Sequence, residues 1–173
     1  MSLMGRRSRR VDPAIRAVSR SRTATFGRYW LPVLLWAAAI FTGSGASLSS
    51  SSTSRFLEPL IHWVLRGASA QTIDAVMIVV RKCGHLTEYA VLSMLCWRAV
   101  RQPVRGDTRT WSWREAAVSL TMATVYAASD ELHQGFVPSR TASAWDVLVD
   151  TCGAAIGLAL LWSLRRARPQ DRT

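Results

Sequence analysis

Three short runs in this 173-residue chain gather side chains that can move protons, hold anions or bind metals. Lys82, His85 and Glu88 stand three residues apart, so a helix would carry all three on one face. Asp130, Glu131, His133 and Gln134 form the second run, and Arg140 follows in the short stretch Gly135 to Ser143. Asp146 and Asp150, four apart, would share a helix face with Gly153 and Gly157. Imidazoles and carboxylates are the usual general acids and bases, which makes His85, Glu88, Asp130, His133 and Asp150 the candidates for chemistry. Lys82 and Arg140 supply contacts for an anion such as phosphate, with Glu131, Gln134 and Asp146 completing a substrate-binding set. His85, Asp130, His133 and Asp150 could instead hold a divalent metal that activates water, although neither His-x-x-Glu nor Asp-Glu-x-His is a specific metal signature. No Ser-His or Cys-His pairing emerges from spacing. The three cysteines, Cys83, Cys96 and Cys152, lie in apolar stretches, match no zinc pattern and read as small packing residues.

The elements that must position these residues are helices of unusual composition. Apolar residues make up 49% of the chain, yet the formal net charge is +11, with the arginines clustered between apolar runs. A soluble nucleic-acid binder would need a basic face on a folded domain, and the apolar runs leave little room for one, so no nucleic-acid partner is expected. A membrane-spanning helix needs about 20 mostly apolar residues. Four stretches qualify if their polar residues face inward: Tyr29 to Gly43, Ala75 to Trp97, Arg114 to His133 and Ala144 to Leu164. The first could also be the core of a signal peptide, but its basic lead is long for that role. Residues 1–28 read as a basic, disordered tail, 29–164 as one membrane domain and 165–173 as a second basic tail.

Orientation follows from the excess of Lys and Arg on the cytoplasmic side of membrane proteins. Eight arginines precede the first span. Arg98, Arg101, Arg105, Arg109 and Arg114 surround the second connection, and Arg165, Arg166, Arg168 and Arg172 follow the last span, out of 22 Lys and Arg in all. Four spans place these clusters on one side, with both termini cytoplasmic. The expected fold is therefore all-α, a polytopic four-transmembrane-helix bundle. Its first outer connection has a Ser- and Gly-rich part, Thr42 to Ser54, and an amphipathic part, Arg55 to Gly67, suited to lie along the outer interface.

Depth along these spans then places the ionisable residues. His85, Asp130, Glu131, His133, Asp146 and Asp150 fall toward the outer end and Glu88 near mid-membrane, although none of them set the topology. Ionisable residues inside a membrane are costly, and their convergence predicts one outward-open polar pocket. A closed network of ion pairs that fixes helix register is the bland alternative. Within it Glu131 would face the headgroups, Gln134 would cap a helix end, Asp146 would join Ser143 in a capping box, and Gly153 and Gly157 would only pack.

The same residues resemble the VanZ-like family of bacterial membrane proteins. Three motifs carry the resemblance: Lys82-Cys83-Gly84-His85-Leu86-Thr87-Glu88-Tyr89; Ser129-Asp130-Glu131-Leu132-His133-Gln134-Gly135-Phe136-Val137-Pro138-Ser139-Arg140; and Asp146-Val147-Leu148-Val149-Asp150 with Gly153 and Gly157. The family usually has Gly between the Pro and Arg of the second motif. Ser139 stands there in this chain and lacks glycine's access to positive φ. The founding member is associated with low-level resistance to teicoplanin, a glycopeptide acting at the cell surface, so the resemblance implies an envelope role at the outer leaflet of a bacterial cell membrane without naming a reaction.

Three functions fit these residues. The first is an enzyme acting on an envelope lipid or lipid-linked, phosphate-bearing precursor. The second is a binder or regulator that recognises a lipid head, a glycopeptide or a membrane partner without chemistry. The third is a small transporter, which would need to dimerise and for which no inverted repeat is visible. Membrane lipids are the expected partners in each case, and the sequence leaves the oligomeric state open.

Overall fold

The computed structural model describes residues 13–44, 59–136 and 143–167, with side chains of the first stretch given for 25–43. These residues are all-α. Four long helices follow one another, α1 (Pro13–Ser44), α2 (Ala70–Arg101), α3 (Trp113–Gln134) and α4 (Ala144–Arg166). A short helical segment at 59–64 precedes α2. The long helices have 32, 32, 22 and 23 residues, which at 1.5 Å per residue spans roughly 33–48 Å. Serines start three of them. Ser69, Ser112 and Ser143 each accept a hydrogen bond from a first-turn backbone N–H, of Thr72, Glu115 and Trp145 respectively, satisfying donors that a helix leaves open. α2 stops at Gln102, whose left-handed backbone (φ 47°) returns its N–H to the Arg98 carbonyl.

Two boundaries differ from the sequence reading. Residues 13–28, read as part of a disordered tail, are helical, and α1 is continuous from Pro13. Pro suits a first helical position, and the Ala- and Arg-rich residues that follow favour a helix whatever their lack of an apolar face. Of the amphipathic stretch Arg55 to Gly67, the helical part within the described residues is 59–64. Ile61 is buried there, while Leu60, Trp63 and Val64 face outward. The tail 168–173, the loop residues 45–54 and Arg140 lie outside the described residues.

Contacts fix the direction of each helix. Tyr29 Oη donates to the Pro103 carbonyl and Trp36 Nε1 to the Glu88 carbonyl, so α1 and α2 run antiparallel. Tyr126 Oη reaches the Ala37 carbonyl and His133 stacks on Phe41, so α3 runs parallel to α1. Ser93 Oγ donates to the Ala154 carbonyl, Asp146 pairs with Lys82 and Asp150 approaches His85, so α4 runs parallel to α2. The chain thus alternates direction, and α2 is the central helix, packed most extensively on α4. That close packing rests on two glycines. A Cβ on Gly153 would lie 2.5 Å from the Leu86 carbonyl oxygen, and one on Gly157 would meet the backbone of Ala90 in the same way. Small residues at i and i+4 let the two backbones touch.

The interior mixes small and aromatic residues, with Tyr89, Leu92, Ala123, Ala127 and Ala154 almost fully enclosed. Large apolar side chains face outward instead: Leu31, Leu34 and Leu35 on α1, Val118 and Val125 on α3, Ile156 and Leu160 on α4. α4 is the one described helix long and apolar enough to cross a membrane by length and composition, and only 28% of its apolar window is buried. The other described helices do not meet that criterion, and α2 and α3 carry charges along their length. Several of those charges, including Arg101, Asp130 and Glu131, are buried between helices.

Arg101 organises the end of the bundle where α2 meets α3. Its guanidinium donates to Asp107 and Glu115 at 2.8 Å each and to the carbonyls of Arg109 and Thr110, and it lies over the Trp97 ring. Arg165 of α4 covers the same ring and approaches Asp107. Arg109, also bonded to Asp107, acts with Arg101 to hold the Asp107 carboxyl well below the usual carboxylate range. Trp111, stacked on Trp97, and Trp113, set against Trp162, extend an aromatic ladder across this end.

Candidate functional site

At the opposite end, α2, α3 and α4 surround a cleft of about 280 Å³ lined by Ile78, Arg81, Lys82, His85, Glu131, Gln134 and Asp146. α2 supplies the first four. Their spacing puts Ile78, Lys82 and His85 on one face of the helix, with Arg81 beside them at the rim. The final turn of α3 supplies Glu131 and Gln134, and the first turn of α4 supplies Asp146.

Each polar group has a specific placement. Lys82 Nζ pairs with Asp146 across the α2–α4 contact, both side chains about one-third exposed. Below that pair, His85 Nδ1 lies 3.4 Å from Asp150 Oδ1, and Asp150 is buried. The glycine contact beneath sets this register: with Gly153 against Leu86, Asp150, one turn back, falls opposite His85. The Glu88 carboxyl lies within electrostatic reach of His85, Asp150 and Asp130. Asp130 is buried on α3, where one of its oxygens accepts from Gln134 Nε2 at 2.9 Å. Glu131 accepts from the backbone N–H of Ser143 and so ties the end of α3 to the start of α4.

The structure therefore brings together Lys82, His85, Glu131, Gln134 and Asp146 in the cleft, with Glu88, Asp130 and Asp150 alongside or beneath them. His133 is placed elsewhere. Its ring stacks on Phe41 of α1, centroids 4.2 Å apart, and it does not line the cleft. At about 100° of rotation per residue, His133 points about 200° from Glu131 and about 100° from Gln134, away from the face those two share. Among the described residues, no group of three His, Cys, Asp or Glu side chains is arranged to hold a metal ion. Gln134 braces Asp130, and Asp146 pairs with Lys82.

Three of these residues were not assigned to the site from sequence. Ile78 lines the cleft, and Arg81, which sequence suggests only as a cation able to neutralise carboxylates, lines the rim. Tyr89, one helical turn below His85, is fully buried, and its hydroxyl has no hydrogen-bond partner among the described residues. It lies within electrostatic reach of Asp130, Asp150 and Glu88. Tyr89 stands in the first quoted motif, but an aromatic residue in an apolar stretch carries no sign of such surroundings.

The arrangement has the parts of an acid–base site: an imidazole 3.4 Å from a buried carboxylate, cations at the rim and a cleft of small-molecule size. A family model described as VanZ/LLP1 matches residues 29–165 of the chain. No curated protein and no solved structure matches it.

Proposed function

The chain belongs to the VanZ/LLP1 family, and from that premise we propose that it is a four-span protein of the bacterial cell membrane whose outer cleft binds, and acts on, a phosphate-bearing envelope lipid or lipid-linked precursor. The membrane reading is supported by the outward-facing apolar side chains on α1, α3 and α4, since a soluble protein rarely exposes so continuous an apolar surface. Tryptophans concentrate toward the two ends, Trp97, Trp111, Trp113 and Trp162 at one and Trp63 and Trp145 at the other, where membrane proteins keep them. Arg98, Arg105, Arg109 and Arg166 sit at the first end, which makes it cytoplasmic and the cleft extracytoplasmic. Segment 59–64, with Trp63 and Val64 exposed, then lies at the outer interface.

The observation that carries the functional reading is the His85–Asp150 pair at the base of a cleft rimmed by Arg81 and Lys82. Asp150 Oδ1 stands against His85 Nδ1, and the rim cations meet a phosphate. In this reading His85 takes or gives the proton and Asp150 positions it. The test compares binding with turnover. The purified chain in lipid nanodiscs should bind a phosphate-bearing lipid and convert it to a product visible by mass spectrometry. His85→Asn should retain binding within about threefold while turnover falls by about 10²–10⁴, the usual contribution of a general acid or base. An unchanged turnover would remove His85 from the chemistry.

A second reading, a binder without chemistry, is favoured by one observation: among the described residues, no hydroxyl or thiol side chain lines the cleft to serve as a covalent nucleophile. It predicts equal binding by wild type and no conversion. For either reading, expression in a glycopeptide-sensitive host should raise teicoplanin tolerance in a way that depends on Asp150. Tolerance unaffected by Asp150→Asn at equal membrane abundance would detach the cleft from that role.

A further inference from the structure

The end of the bundle opposite the cleft treats its arginines in two ways. Arg101, Arg109 and Arg165 all have the Asp107 carboxylate beside them. Arg28 of α1 and Arg98 of α2 pair with no carboxylate among the described residues. They gather instead around one buried ring. The guanidinium carbons of Arg28 and Arg98 lie 5.8 and 5.0 Å from the centroid of Tyr29. Arg98 Nη1 also donates to the Arg28 carbonyl at 3.3 Å, and Tyr29 Oη donates to the Pro103 carbonyl. The start of the apolar part of α1, the last turn of α2 and the loop after it therefore hold the two cations at the same seam. The ring attracts each cation but brings no charge to neutralise them. A second, independent feature lies on α1 itself. Leu31 and Leu35 follow Arg28 at helical spacing on the same face, about 5 and 10 Å further along the axis. They are 53% and 62% exposed. A guanidinium pair thus stands at the head of an open apolar track.

On the premise of the membrane reading above, we propose that Arg28 and Arg98, gathered around Tyr29, bind the phosphate of an anionic phospholipid whose acyl chain runs along the Leu31 and Leu35 face of α1. Guanidinium donors match phosphate oxygens, and the site supplies two of them from different helices. The head should carry net negative charge. A zwitterionic head brings its own cation, which two arginines without a carboxylate would repel. Basic seams between spanning helices on the cytoplasmic side are suited to such lipids. Asp107 excludes the neighbouring arginines from the same role, because its carboxylate would face the phosphate. The site is separate from the cleft: the lipid would join α1 to the far end of α2.

The experiment titrates the full chain in detergent with dioleoyl phosphatidylglycerol and dioleoyl phosphatidylcholine, read by native mass spectrometry. Phosphatidylglycerol should bind at least about tenfold more tightly. Arg28→Gln and Arg98→Gln should each weaken it by about fivefold, the contribution of one arginine beside an anionic lipid, and leave phosphatidylcholine unchanged. The double variant Arg105→Gln, Arg114→Gln removes the same charge from the same end but away from Tyr29, and should keep the preference. If it loses as much as the Arg28 and Arg98 variants, the attraction is diffuse and the site is overturned. Arginine footprinting of the wild type with phenylglyoxal locates the lipid even if a variant fails to fold. Phosphatidylglycerol should shield Arg28 and Arg98, and leave Arg105 and Arg114 reactive. Modification of Arg28 and Arg98 that ignores the lipid overturns the proposal. Equal binding of the two lipids overturns it too and leaves the membrane reading standing. A chain that retains neither lipid and stays dispersed without detergent removes both.

Discussion

Arg101 and His85 are ionisable residues on one helix with opposite circumstances. Arg101 is enclosed by Asp107, Glu115, two carbonyls and the Trp97 ring, which satisfies the guanidinium on nearly every side. Such a residue holds structure. Removing one partner of a buried pair leaves the other charged and unpaired, so Arg101→Ala should cost about 3–5 kcal/mol, visible as a large drop in the melting temperature of the purified chain. A variant that melts with wild type would mean the cluster contributes nothing. The same cluster predicts a pH dependence. The Asp107 carboxyl is held below its unfolded value of about 3.9, so its bonds to Arg109 and Arg101 contribute stability above about pH 4 that fades as the solution is acidified. The melting-temperature difference between wild type and Asp107→Asn should therefore be full near pH 7 and narrow below about pH 4. A gap that stays constant on acidification would show that the Asp107 charge is not its source. His85 lines the cleft with its ring partly exposed over the buried Asp150, which is why its substitution is read in binding and turnover first.

Among the helices, the α2–α4 contact is the one on which the site depends. Gly153 and Gly157 bring α4 onto the backbone of Leu86 and Ala90, and Ser93 adds a hydrogen bond across the same seam. A methyl group at either glycine must push the backbones apart, because the atoms it would meet are main-chain and cannot rotate away. Gly153→Ala and Gly157→Ala should each destabilise by about 1–3 kcal/mol, the usual range for overpacking a close contact. Gly153→Ala should also weaken ligand binding, since it lies one turn from Asp150 and widens the His85–Asp150 approach. Chemical denaturation beside a binding measurement checks both. If Gly153→Ala changes neither, the close approach of α2 and α4 is not what sets the site.

At the scale of the whole molecule, the alternating helix directions put the cleft at one end and the arginine-rich aromatic cluster at the other. The proposed four-span topology with cytoplasmic termini rests on the positive-inside rule. In a background without Cys83, Cys96 and Cys152, cysteines introduced at the exposed positions His62 and Ala144 should react with an impermeant thiol reagent on intact cells. One at Thr108 should react only after permeabilisation. External labelling at Thr108 would overturn the topology and move the cleft to the cytoplasmic side.

Much of this was legible in the residues themselves. The four helices, their order and the family follow from apolar run lengths and the three motifs, because these are local signals that neighbouring residues carry together. The convergence of Lys82, His85, Glu131 and Asp146 at one end was legible too, since depth along a helix is a matter of counting. Direction around the helix was not. His133 falls between Glu131 and Gln134 in the chain, yet its ring stacks on Phe41 of α1, and only the packing of α1 beside α3 decides that. The Arg101 cluster was likewise hidden, because Arg101, Arg109 and Arg165 read as topology markers until Asp107, Glu115 and Trp97 are seen to surround one of them. Average hydropathy passes α4 alone for a related reason: it counts every charge in α2 and α3 and is blind to which of them face inward. Composition and spacing determine what a helix carries and at what depth. Its rotation against its neighbours is set by contacts such as Gly153 on Leu86, which belong to two distant segments at once.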